Sequence, residues 1–197
     1  MTVNLDKTGL KSIINDIDLL FIDIWGVLHN GINLYKESLN VLDKLEQSKK
    51  EYILLTNAPR PNNTVINFLK NLGLDQSKCK KVSTSGEVAL KYLKSKYKAL
   101  KFFHVGPPRD FDLFKSFEEF KVNNLDESDF IICTGLYDNF SKNLYYYKNL
   151  LKNKVDKKMV CTNPDLIVDR GNEREFCAGS VAKIFEDLGG EVEYQGK

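Results

Sequence analysis

Short apolar runs alternate with stretches whose apolar residues recur every three or four positions, and this rhythm holds along the chain. The first run, Leu19-Leu20-Phe21-Ile22, stops abruptly at Asp23; its length and strand-forming residues predict a fully buried strand of a parallel sheet. Leu39, Val41, Leu42 and Leu45 follow at helical spacing over 35–47, and a second run at 52–55 completes a βαβ unit. Pro59 and Pro61 stand where a helix can begin, Val65, Ile66, Phe68, Leu69 and Leu72 give its stripe, and Gly73 stops it. A short strand is predicted over 82–84, with Ser85-Gly86 opening a helix to Lys96.

Around Lys101 the alternation restarts, with a strand over 102–105, a turn at Gly106-Pro107-Pro108 and a helix holding Phe111, Leu113, Phe114 and Phe117. Further strands are predicted over 130–133, 159–161 and 192–194, and further helices over 143–151 and 180–188, the last ended by Gly189-Gly190. Neither an internal repeat nor a low-complexity stretch interrupts this order, which predicts α/β layers on a mostly parallel sheet.

With 197 residues, 42% of them hydrophobic, the chain can bury a core without staples. Its 29 basic and 27 acidic side chains nearly cancel, so the charge balance points to no nucleic acid; Lys152, Lys154, Lys157 and Lys158, the densest basic cluster, read as a solvated face. The start, residues 1–6, has no basic stretch leading into an apolar run, and no apolar segment is long enough to cross a bilayer. No membrane contact and a cytoplasmic location are the expectations. Cys79, Cys133, Cys161 and Cys177 lack paired spacing and read as buried apolar residues, not as zinc ligands or a disulfide framework.

In open parallel sheets ligands bind beyond the carboxyl ends of the strands. Three polar sets stand there: Asp23-Ile24-Trp25-Gly26-Val27-Leu28-His29-Asn30-Gly31, Thr56-Asn57, and Gly196-Lys197. A carboxylate, a hydroxyl and an ammonium sharing one crevice would make a phosphate site, in which the carboxylate attacks phosphorus and the others hold its oxygens. A helix beginning near Pro59 would add its positive end. Singly, each residue has a plainer reading: Asp23 caps a turn, Thr56-Asn57 caps a helix, Lys197 is solvated. Phe103, His104, Tyr137 and Asp165 are candidates to line the crevice, with core packing the competing reading of the aromatics.

Taken together, in this order, the sets resemble the haloacid dehalogenase-like superfamily, specifically its subclass IIA of NagD-like and 4-nitrophenyl phosphatase-like hydrolases. The first motif of that family, D-x-D-G-V-x-x-x-G after an apolar strand, is matched by Asp23 to Gly31, and the second by Thr56-Asn57. Similarity continues through Thr84-Ser85-Gly86, Thr162-Asn163-Pro164-Asp165 and Cys177-Ala178-Gly179-Ser180, closing with Tyr194-Gln195-Gly196-Lys197 at the third motif. The resemblance implies a doubly wound core at 1–100 and 177–197, with an α/β cap of the C2 type inserted at 101–176. It implies Mg²⁺ bound by Asp23 and the backbone carbonyl of Trp25, Asp23 as nucleophile, Thr56 and Asn57 holding the phosphoryl group of a small phosphorylated metabolite, and Lys197 neutralising charge.

Two departures from the family pattern stand out. The second aspartate, which protonates the leaving oxygen, is replaced by Trp25, whose indole carries no titratable group. Loss of acid-base help costs about 100- to 10,000-fold in rate, so a slow enzyme or a leaving group that needs no proton is expected. His29 is the nearest other proton carrier, with packing in the loop its competing role. The sequence also lacks the fourth motif and the strand that would flank the first one, so residues 19–23 are expected to form an open apolar edge prone to self-association. A catalytically silent remnant or binding module is the alternative to a phosphohydrolase; a receiver-like phosphoacceptor is a third reading, which the cap-sized insertion disfavours.

Overall fold

The computed structural model describes residues 8–79 and 81–197; the segment 1–6 read above for targeting signals lies outside them. In chain order the elements are β1 (Leu19–Asp23), α1 (Lys36–Gln47), β2 (Glu51–Thr56), α2 (Asn62–Asn71), β3 (Val82–Thr84), α3 (Ser85–Lys96), β4 (Phe102–Val105), β5 (Lys121–Val122), β6 (Phe130–Cys133), α4 (Leu144–Leu151), β7 (Lys158–Cys161), β8 (Ile167–Arg170), β9 (Glu173–Phe176), α5 (Ala178–Asp187) and β10 (Glu191–Tyr194). Among the described residues three sheets result: β1-β2-β3, β10-β7-β6-β4-β5, and the hairpin β8-β9. The first two are parallel, as the alternating pattern predicts, and only the hairpin is antiparallel.

Leu42 and Leu45 of α1 and Val65 and Leu69 of α2 bury their stripes with Leu54 of β2, giving the first sheet its core. The second sheet has apolar layers on two sides, one around Tyr147, Val181 and Phe185, the other around Phe102, Phe114 and Phe130. All four residues of β6 are buried because it lies at the middle of that sheet. The fully buried strand expected at 19–23 is not realised: β1 is an edge, no residue of it is fully buried, and Phe21 is 64% exposed.

The expected return of the chain to the first unit at 177 is also corrected. α5 packs on the second sheet, and β10 pairs in register with β7, Tyr194 opposite Cys161. Its neighbour α3, expected in the first unit, buries Leu93 and Tyr97 against Phe102, Phe130 and Val160. Glu193 of β10 then ties the two together, accepting from the Tyr92 and Tyr97 hydroxyls at 2.7 and 2.8 Å and pairing with Lys96.

The helix predicted around Phe111 to Phe117 is instead a pair of 3₁₀ turns at Pro108–Leu113 and Glu118–Phe120. Phe111, Phe114, Phe117 and Phe120 recur at a spacing of three, which is the 3₁₀ period, and all four join one core. Among the described residues no helix is long and apolar enough to cross a membrane, and all four cysteines are free and buried. In the lysine cluster Lys154 pairs with Asp126 and Lys158 with Glu191, as a solvated face would.

Candidate active site

Parallel register places Asp23 opposite Leu55, so Asp23 and Thr56 stand at the carboxyl ends of adjacent strands. Asp23 Oδ1 accepts the Ile24 N–H at 2.7 Å, which fixes the carboxylate, and Oδ2 meets Lys197 Nζ at 2.9 Å. The two side chains are 38% and 40% exposed, and a pair that open to water adds little to stability. Its consequence is chemical: a carboxylate and a cation held together at the rim of a sheet.

Lys197 reaches this point from the second sheet. Beyond β10 the Gln195 N–H donates to the Cys161 carbonyl at 2.8 Å, and Gly196 passes through a left-handed backbone at φ 146°. A Cβ at Gly196 would fall 2.6 Å from Pro164 Cδ and 2.7 Å from Asn57 Oδ1, so only glycine fits. The Lys197 N–H donates to Asn57 Oδ1 at 2.9 Å, while Asn57 Nδ2 donates to the Lys197 carbonyl at 3.3 Å and to Asp165 Oδ1 at 2.8 Å. The side-chain amide of Asn57 is thus a clasp for the lysine. Thr56 lines the same cavity, its hydroxyl accepting the Ala58 N–H at 3.2 Å.

The positive end expected from a helix near Pro59 is partly spent within the chain: α2 starts at Asn62, whose N–H donates to Glu87 Oε2 at 3.4 Å. Trp25 faces the hairpin. Its indole N–H donates to the Asp169 carbonyl at 2.8 Å, and the Arg170 guanidinium lies 5.0 Å over the ring, itself bonded through Nε to both Glu175 oxygens. Gly31 leaves room for this, since a Cβ there would stand 2.8 Å from the indole. His29 takes the packing role: buried, it accepts the Gly31 N–H on Nδ1 and sets its ring edge-on to Trp25 and Phe68. Burial, then the nearby Arg170, lowers its pKa, so it is no ready proton donor.

Both sheets present their carboxyl ends to one cavity of about 1080 Å³, lined by Asp23, Thr56 and Lys197 on one side and by Asp110, Thr134 and Asp165 on the other. Of the four residues expected to line the crevice, Asp165 does so, Phe103 and Tyr137 pack against the core and His104 is buried. Sequence reasoning missed Asp110, Thr134 and Arg170. Arg170 had a signal, because Gly171-Asn172 between alternating charges is a two-residue hairpin turn.

A sequence model of the haloacid dehalogenase-like hydrolases matches residues 20–118, half of the chain. The chain belongs to this family. No curated protein matches it. Among solved structures, a haloacid dehalogenase-like hydrolase from Brucella suis 1330 shares 29% identity at a TM-score of 0.88, covering 95% of this chain and 69% of its own. A 4-nitrophenylphosphatase from Thermotoga maritima (23%, 0.67, 94% and 70%) and a glycerol phosphate phosphatase from Mycobacterium tuberculosis in complex with calcium (20%, 0.64, 94% and 55%) share the fold.

For a member of the haloacid dehalogenase-like hydrolases the metal-binding set is small. Among the described residues no three carboxylate, imidazole or thiolate groups converge. Asp23 and the neighbouring Trp25 carbonyl are still compatible with magnesium, which binds through one or two carboxylates and takes its other ligands from water and phosphate oxygens.

Proposed function

We propose that this chain is a phosphohydrolase scaffold acting on a small phosphorylated metabolite through an aspartyl-phosphate at Asp23. The observation that carries the reading is the 2.9 Å contact between Lys197 and Asp23 at the rim where β1 and β2 end, beside Thr56. An Asp23 oxygen attacks phosphorus as the bond to the leaving oxygen breaks; water then attacks the same phosphorus, releasing phosphate and restoring the carboxylate. Lys197 offsets the charge gathering on the phosphoryl oxygens and the Thr56 hydroxyl donates to them. Magnesium, held by Asp23 and the Trp25 carbonyl, supplies further charge neutralisation when bound.

Trp25 moves no proton, so the substrates turned over fastest are those whose leaving group departs as a stable anion, such as acyl or nitrophenyl phosphates. The cap of this reading comprises α3, the second sheet and the hairpin β8-β9, which close over the metabolite, and the protein works in the cytoplasm without nucleic acid or membrane. The test is release of phosphate from 4-nitrophenyl phosphate with and without Mg²⁺. Activity that survives Asp23→Asn refutes the reading.

A second reading, a binding module without turnover, is favoured by one observation: Trp25 is pinned under the hairpin where the acid would stand. Chelator-sensitive turnover at ordinary enzyme rates removes it.

A further inference from the structure

Asp165 sets a negative charge in a cavity read as an anion site. It lines the same hollow as Asp23, Thr56 and Lys197, where a carboxylate repels the phosphoryl group that the lysine is to hold. Asp165 is exposed, so the fold does not depend on packing its side chain. One contact accounts for it: Oδ1 accepts from Nδ2 of the buried Asn57 at 2.8 Å.

That contact decides which way the Asn57 amide faces. A carboxylate only accepts, so it takes the NH₂ side of the amide and leaves Asn57 Oδ1 for the Lys197 N–H, 2.9 Å away. The same NH₂ group donates to the Lys197 carbonyl at 3.3 Å. Turned over, the amide would set its oxygen against the oxygens of Asp165 and Lys197, and its NH₂ against an N–H. Asp165 therefore favours the one orientation in which Asn57 grips both backbone groups of Lys197, whose Nζ then meets Asp23 Oδ2 at 2.9 Å.

The loop that carries Asp165 is set independently of the lysine. The Asp165 N–H donates to Asn163 Oδ1 at 3.0 Å, and its carbonyl accepts the Gly179 N–H of α5 at 3.1 Å. On either side the Thr162 N–H donates to the Cys133 carbonyl at 2.9 Å, and the Cys177 N–H donates at 2.9 Å to the Leu166 carbonyl, which the Ser180 hydroxyl also reaches. A Cβ at Gly179 would fall 2.3 Å from the Pro164 carbonyl oxygen and 2.6 Å from that of Asp165, so α5 is seated closely against the loop. Asp165 is thus a fixed reference, built on the second sheet, for a lysine that acts at the end of the first.

We propose that Asp165 is a positioning residue, which orients the Asn57 amide so that the amide holds Lys197 against Asp23. The proposal rests on the phosphohydrolase reading for its effect on turnover. Two measurements on the full chain test it. The first is release of phosphate from 4-nitrophenyl phosphate with Mg²⁺ present. Asp165→Ala is expected to slow it about tenfold, the worth of a hydrogen bond to a charged group, whereas relief of charge repulsion alone would speed it. Asp165→Asn, which can still accept from Asn57 Nδ2, should recover most of the rate. Added to Lys197→Met, Asp165→Ala should cost nothing more, because its effect passes through the lysine. The second measurement is amide hydrogen exchange by NMR. Asp165→Ala should speed exchange of the Lys197 N–H about tenfold and leave that of the Gln195 N–H, bonded to the Cys161 carbonyl, unchanged. Undiminished turnover in Asp165→Ala, an equal loss in Asp165→Asn, additive losses in the double variant, or exchange at Lys197 that is unaltered or moves only together with Gln195 overturns the proposal. A parent chain that releases no phosphate defeats the phosphohydrolase reading, and exchange at Lys197 then decides by itself whether Asp165 orients the clasp.

Discussion

Replacing Asp110 by asparagine should change stability in a way that only a buried carboxylate can. Burial, only partly offset by the Thr134 hydrogen bond and by Arg109 and Arg60, raises its pKa from 3.8 to about 6. The folded state therefore holds the Asp110 proton between pH 4 and 6 while the unfolded chain has lost it, so ionisation destabilises the fold progressively across that window. Roughly two pK units at about 1.4 kcal/mol each give about 3 kcal/mol, fully present above pH 6 and absent below pH 4. Asparagine mimics the protonated form at every pH. The difference in unfolding free energy, variant minus parent, should climb by about 1.4 kcal/mol per pH unit from 4 to 6 and then level off. Urea unfolding at a series of pH values measures it. His104 runs the other way: burial, then Lys121, lowers it to about 4, so its neutral form stabilises the fold above pH 6.5 and that stability is lost on acidification. The parent protein thus has two nearly cancelling slopes, and the variant keeps only the histidine's. A difference curve that is flat, or that falls with pH, refutes the assignment of a buried charged carboxylate at the cavity rim.

The remaining expectations concern the first rim and the edge of its sheet. Lys197→Met should cut phosphate release by about 100- to 1,000-fold while leaving the melting temperature nearly unchanged, since the ion pair it removes is exposed. Gly196→Ala forces a Cβ against Pro164 and Asn57 and should displace the lysine, lowering turnover and costing about 1–3 kcal/mol in denaturant titration. Trp25→Phe loses the indole bond to Asp169 and should lower the melting temperature by about 2–4 °C in a thermal scan. Phe21→Glu on the exposed face of β1 should reduce light scattering of concentrated samples without altering far-UV circular dichroism.

Much of this architecture was legible because strands and helices of a parallel fold differ in period: nearly all predicted elements recur within a residue or two. What failed did so for physical reasons. The allegiance of β10 is a tertiary fact, and an apolar run reads alike at the centre or edge of a sheet, so composition alone predicted burial of residues 19–23 while the family resemblance predicted the open edge that β1 forms. The hairpin was missed because its strands are short and charged, held by Asp169–Arg174 and by Arg170–Glu175, not by apolar alternation. At the site, Asp23 and Lys197 were legible as a pair, whereas the clasping role of Asn57 needed the approach of Gly196, which sequence spacing does not reveal. Asp110 gave no signal at all, because an aspartate after Pro107-Pro108 reads as an ordinary turn residue.

Asp110 and Trp25 are best understood side by side. A domain has about 5–15 kcal/mol of net stability, so a buried charge costing about 3 kcal/mol is a heavy burden where asparagine would keep the same shape. The charge brings one thing asparagine lacks, a second strong acceptor oxygen on a residue that lines the cavity. At the opposite rim Trp25 stands where the family resemblance implies a second aspartate, and its indole meets the hairpin through Asp169 and Arg170. On the proposed reading the rim of Asp23 thus carries an indole in place of an ionisable group, whereas the opposite rim keeps an ionisable group in Asp110. Binding energy from that remote end can be spent on orienting the phosphoryl group against Asp23, which is the contribution still open to a site without an acid. On this argument Asp110→Ala should slow the release of phosphate most for esters with poor leaving groups and least for 4-nitrophenyl phosphate, whose leaving group needs no proton.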